Sequence, residues 1–92
     1  MEAQKIANLK KKLNIMGAIM APIQRAKGVF GTDTAKDLAE THKNAMIALK
    51  SENYQLAKTL AIKATELLEK CGKQLPRTPR RMIQSQIAKI LI

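Results

Sequence analysis

Tryptophan is absent from the sequence, and phenylalanine, tyrosine, histidine and cysteine occur once each. One cysteine excludes an internal disulfide and a cysteine-built zinc site, so a packed core must supply the stability. Two aromatic rings leave little on which the bases of a single-stranded nucleic acid could stack. Glycine and proline are scarce, and no stretch alternates apolar and polar residues as a half-buried strand does. No glycine-rich phosphate loop, nucleophile elbow or metal motif occurs. An enzyme is therefore not expected, and no cofactor or metal is implied. The apolar run from Ile15 to Ile23 is interrupted by Gly17 and Pro22 and is too short to span a bilayer. Lys10, Lys11 and Lys12 before it give a weak likeness to a signal peptide. A lone thiol and a lysine-rich surface instead suit a reducing cytoplasm, which is the expected location.

What the chain does hold is aliphatic and basic. Of its 92 residues 46% are hydrophobic, and 17 lysines and arginines stand against 7 acids, a net charge of +10. The length suits one domain, residues 1–92, and the aliphatic content is too high for a disordered basic tail. Ala, Leu, Ile and Met bury less area per residue than Phe or Trp, so the core is thin. A partner protein, or a second copy in a homodimer, is a candidate to complete it.

Apolar spacing of three and four predicts helices throughout. Ile6, Leu9, Leu13, Met16 and Met20 form the stripe of a first helix from about Glu2 to Met20. Pro22 is expected to break it, with a short continuation before Gly28 and Gly31. Thr32-Asp33-Thr34 is a capping segment, with Asp37 three residues after Thr34 in a loose capping box. The second helix should reach Lys50, with Ala35, Leu38, His42, Ala45, Met46 and Leu49 inward. Ser51 then reads as the cap of a third helix running to Cys71, with Gly72 as its stop. The short connection makes the second and third helices antiparallel neighbours, and Ala57, Ala61 and Ala64 let them approach closely. Thr78-Pro79 starts a fourth helix carrying Ile83, Ile87, Ile90 and Leu91 on one face. The expected fold is an all-α bundle of four helices around a central antiparallel hairpin.

The segment Asn53-Tyr54-Gln55-Leu56-Ala57, with Ala61, Ala64 and Leu67, resembles the second helix of tetratricopeptide repeats. It is equally similar to three-helix domains that bind trafficking motifs. The likeness is confined to one helix, and Thr41 and Ala45 stand where a tetratricopeptide repeat has Trp and Gly. It implies a close-packed helical hairpin, and no binding residue is carried over from either family.

Few side chains suggest chemistry. His42 falls on the apolar side of the second helix with no second ligand at helical spacing, so it reads as a core-edge histidine with one hydrogen bond. Cys71 ends the third apolar stripe and reads as a buried, inert thiol. Asp33, Asp37 and Glu40 sit where acids complement the dipole of the second helix.

Charge is the most informative feature. Residues 1–32 carry a net +5, residues 33–69 a net −1 and residues 70–92 a net +6. Two clusters stand out, Lys10-Lys11-Lys12 and the set Lys73, Arg77, Arg80 and Arg81. Arg80 and Arg81 fall in the first turn of the fourth helix, where the dipole disfavours them and where free amides can hold an anion. The first expectation is a small non-enzymatic protein that binds the phosphate backbone of DNA or RNA through these seven residues, with salt-sensitive affinity. The second is a protein-interaction module that docks on an acidic protein surface. Ile15, Ile19, Ile47 and Ile62, off the inner stripes, favour the latter as contact residues. A membrane-surface role ranks below both. One continuous basic stripe would favour nucleic acid, and separate clusters flanking an apolar patch would favour a protein.

Overall fold

The computed structural model describes residues 2–26, 28–75 and Ser85. Among these the chain is all-α, with three helices in the order α1 (Ala3–Arg25), α2 (Asp33–Lys50) and α3 (Tyr54–Lys73). The fourth helix expected beyond Thr78 lies outside the described residues, apart from Ser85, which is helical and exposed.

The helices run up, down and up. At one end Leu9 and Leu13 of α1 pack with Ala45 and Ala48 of α2 and Ala57 and Ala61 of α3. At the other, Met16, Met20 and Ile23 meet Ala35, Leu38, Ala64, Leu68 and Cys71. Thus α1 is parallel to α3 and antiparallel to α2. Small residues at the α2–α3 seam bring those two helices close, whereas α1 lies on the hairpin through long side chains and makes looser contact with both.

Helix α1 is not broken at Pro22. It continues past Met20 to Arg25, with Pro22 inside it. Pro22 has no amide to donate to the Ala18 carbonyl and its ring crowds that oxygen, a local cost that the packing of the residues beyond it outweighs. Ile23, fully buried, ties the last turn to the core. The turn that follows is shaped by Gly28, whose φ of 89° is left-handed. A Cβ there would stand 3.2 Å from the Gln74 carbonyl oxygen, so the turn also needs glycine for its approach to the end of α3.

Thr32 is the N-cap of α2: the Ala35 amide donates to its Oγ1 at 3.2 Å, and its hydroxyl donates to the Val29 carbonyl at 2.7 Å. The cap is therefore Thr32 and not Thr34, and Asp37 lies beyond it, exposed. The buried face of α2 is Ala35, Leu38, Thr41, Ala45 and Ala48. It is turned from the expected face because the small residues Ala45 and Ala48 meet α3, which leaves His42, Met46 and Leu49 half-buried.

Ser51 does not begin α3 but ends α2. The Asn53 amide donates to the Ala48 carbonyl at 2.9 Å and the Glu52 amide to Leu49 at 3.2 Å, a Schellman ending. Asn53 then caps α3, accepting from the Leu56 amide at 3.5 Å. Gly72 is not a stop: it lies buried inside α3, which ends one residue later.

Candidate interaction groove

Three lysines in a row on a helix point in directions about 100° apart, so they form no patch. Lys10 and Lys11 are exposed, and Lys12 alone turns into the seam between α1 and α3, half-buried. Lys73 is exposed in the last turn of α3, beside Lys70. Arg25 and Lys50 hold the same place on α1 and α2. Cations there complement the helix dipole, which accounts for Lys73 by folding alone. At 1.5 Å per residue, Lys12 and the Lys73 end of the bundle are about 20 Å apart along the axis. The structure therefore separates Lys10, Lys11 and Lys12 from Lys73, while Arg77, Arg80 and Arg81 lie outside the described residues.

What the fold does assemble is a cationic group that no run in the sequence announces. Lys5 and Lys12, two turns apart on α1, and Lys58 on α3 border one depression with Leu9 at its base. None of the three lysines is held by a hydrogen bond or ion pair among the described residues. The depression continues along the seam over Leu9, Met16 and Ala61, where Ile62, Glu66 and Glu69 form the α3 rim. At the opposite end it opens beside Glu2, Glu52 and Tyr54, with Lys5 and Lys58 again on its border. The result is a groove between α1 and α3 with an apolar floor, its three lysines flanked by glutamates at both ends. The spacing of seven between Lys5 and Lys12 was the available signal, and Lys58 could be added only by knowing that α1 and α3 are parallel.

Among the described residues nothing covers the seam, because α1 stands off the hairpin. Ile62 is 54% exposed beside it. The other candidate contact residues divide: Ile19 is buried, Ile15 packs against the core, and Ile47 is exposed on the far face of α2. No protein-family model, curated protein or solved structure matches the chain. Its function is thus read from its own surface.

The two residues with intrinsic chemistry are taken up by packing. His42 Nε2–H donates to the Leu13 carbonyl at 2.9 Å, since a carbonyl can only accept. The ring lies over Gly17, where an added Cβ would come within 3.3 Å of His42 Cε1. His42 thereby pins α2 to α1. Cys71 is fully buried, and desolvation raises its pKa, which disfavours the nucleophilic thiolate. Among the described residues no three His, Cys, Asp or Glu side chains gather to hold a metal, and no helix is long and apolar enough to cross a membrane.

Proposed function

We infer that the protein is a small non-enzymatic interaction module that docks on an acidic protein partner. The observation that carries this reading is the distribution of the described lysines. Lys5, Lys12 and Lys58 border an apolar-floored groove and Lys50, Lys70 and Lys73 occupy helix ends, while the exposed stripe Lys36, Lys43 and Lys50, spaced by seven, is confined to α2. Apolar surface edged by charge is the usual composition of a protein contact, with the charges steering association and selecting the partner.

Backbone binding to nucleic acid remains the competing reading. It is favoured by the net charge of +10 and by the three groove lysines, none of which makes an ion pair among the described residues. A capture experiment from lysate, with and without nuclease, separates the two. Protein partners of low isoelectric point that stay bound after nuclease treatment support the interaction module. Loss of all captured protein on nuclease treatment, together with duplex affinity that falls steeply with salt, would replace it with the nucleic-acid reading.

A further inference from the structure

We propose that the outer face of α3 binds a second copy of this chain, the two α3 helices packing antiparallel about a two-fold axis through Ile62. This goes beyond the acidic-partner reading, and neither inference needs the other.

A lone exposed isoleucine is ordinary, but the surroundings of Ile62 are not. At about 100° per residue, Gln55, Lys58, Glu66, Glu69 and Lys73 all point within about 40° of it, so the six form one stripe along α3. Ile62 is 54% exposed, and of the six only Glu69 is half-buried. Among the described residues nothing covers the stripe. None of its charged side chains is ion-paired within the chain among those residues, so each is available to a second copy.

A two-fold contact sets each patch against itself, reversed. With the axis at Ile62 and the helices running in opposite directions, positions equally far before and after it face each other. Ile62 meets Ile62 of the second copy, Lys58 meets its Glu66, and Gln55 meets its Glu69. Further out, Lys73 comes over the α2–α3 turn of the second copy, where Glu52 is exposed. No like charges are paired. The α1 wall repeats this order, with Glu2 beside Glu52 and both Lys5 and Lys12 beside Lys58. Lys63 points about 100° away from Ile62 and lies outside the contact. Two α3 helices running the same way would instead lay Lys58 on Lys58 and Glu66 on Glu66. The charge order therefore selects the antiparallel pair, and mixed signs along one stripe suit a copy of that stripe. With one apolar pair ringed by exposed charges, the association is weak and salt-sensitive.

Sedimentation equilibrium of the full chain, from about 10 µM to 1 mM and in low and high salt, measures it. The wild type is expected to be monomeric when dilute and to shift toward dimer when concentrated, less so in high salt. Ile62→Ser is expected to weaken association at least about fivefold, and Lys58→Glu to do the same. Lys58→Glu/Glu66→Lys reverses both members of the pair at unchanged net charge and is expected to restore association to within about twofold of wild type. Lys10→Glu makes the same charge change as Lys58→Glu away from the stripe and is expected to alter association less than about twofold. Cross-linking fixes the direction. In a Cys71→Ala background of confirmed helical content, Ile62→Cys should oxidise to a linked dimer. Lys58→Cys should not, because its two copies stand about 12 Å apart along the helix axes.

A monomer at every concentration would overturn the proposal, as would a double variant no better than Lys58→Glu. Cross-linking of Lys58→Cys as fast as Ile62→Cys would also overturn it, since the helices would then run parallel or meet at random. Association lost in Arg80→Glu/Arg81→Glu but untouched by Ile62→Ser would give the contact to the C-terminal segment instead. None of these outcomes bears on the capture of acidic proteins, which tests the reading above separately.

Discussion

Glu52 sits at the left-handed position of the α2–α3 turn, with φ 61°. Its Cβ crowds the following carbonyl in that region, a strain glycine does not carry. Glu52→Gly is expected to raise stability by about 1 kcal/mol, read as a higher urea midpoint at unchanged slope. The same residue explains a misplaced boundary. Ser51-Glu52 reads as a cap and first helical turn, whereas a glycine at position 52 would have marked the end of α2. Cys71, by contrast, was legible, since a thiol at the end of an apolar stripe belongs in the core. Burial raises its pKa above the ordinary thiol range. The native state then holds the thiol proton more tightly than the unfolded chain. That contribution is complete below the ordinary thiol pKa and is lost as pH rises toward the native value. The stability advantage of wild type over Cys71→Ala should therefore shrink above about pH 8.5, by at most about 1.4 kcal/mol per pH unit. Urea titrations of the two proteins from pH 7.5 to 10.5 measure it.

At the scale of elements, the alanines of α3 are not equivalent. Ala57 and Ala64 are fully buried, while Ala61 keeps 7% of its surface and borders the groove. Ala57→Phe has nowhere to put the ring and should cost about 1–3 kcal/mol by overpacking. Ala61→Phe can turn its ring toward the seam, so its loss should be the smaller of the two. Thermal melts of the pair decide this, and equal losses would mean that the seam is closed. Periodicity made all three described helices legible because each buries a stripe. It could not tell which neighbour a stripe faces. That is why the spacing predicts His42, Met46 and Leu49 on the inner face of α2, where the structure leaves them half-buried. The helix crosses Pro22 for a different reason: its local cost is offset by the burial of Ile23, a tertiary contact that local preference does not report.

For the molecule as a whole, Leu13 is the side chain on which monomer and dimer readings diverge. It is fully buried within one chain, against Ala45, Ala48, Ala57 and Ala61. Leu13→Ala should therefore cost about 2–5 kcal/mol. The loss should be the same across a hundredfold range of protein concentration in denaturant titrations, because no second copy completes this part of the core. The groove was the least legible feature. It combines residues some fifty positions apart, and the runs of like charge that dominate the sequence are scattered by the helical twist.

The looser seat of α1 also sets an order of events within the native state. The α2–α3 hairpin, joined by a short turn and close-packed alanines, is expected to hold the slowest-exchanging amides, with α1 opening from it as a separate cooperative unit. In deuterium exchange, amides of Leu9 to Met20 should lose protection together and well before those of Ala57 to Leu68. The groove has α1 as one wall and vanishes each time that helix lifts. An occupant would thus act as a clasp, slowing exchange along α1 far more than along α2, and its affinity would carry the cost of holding the molecule shut.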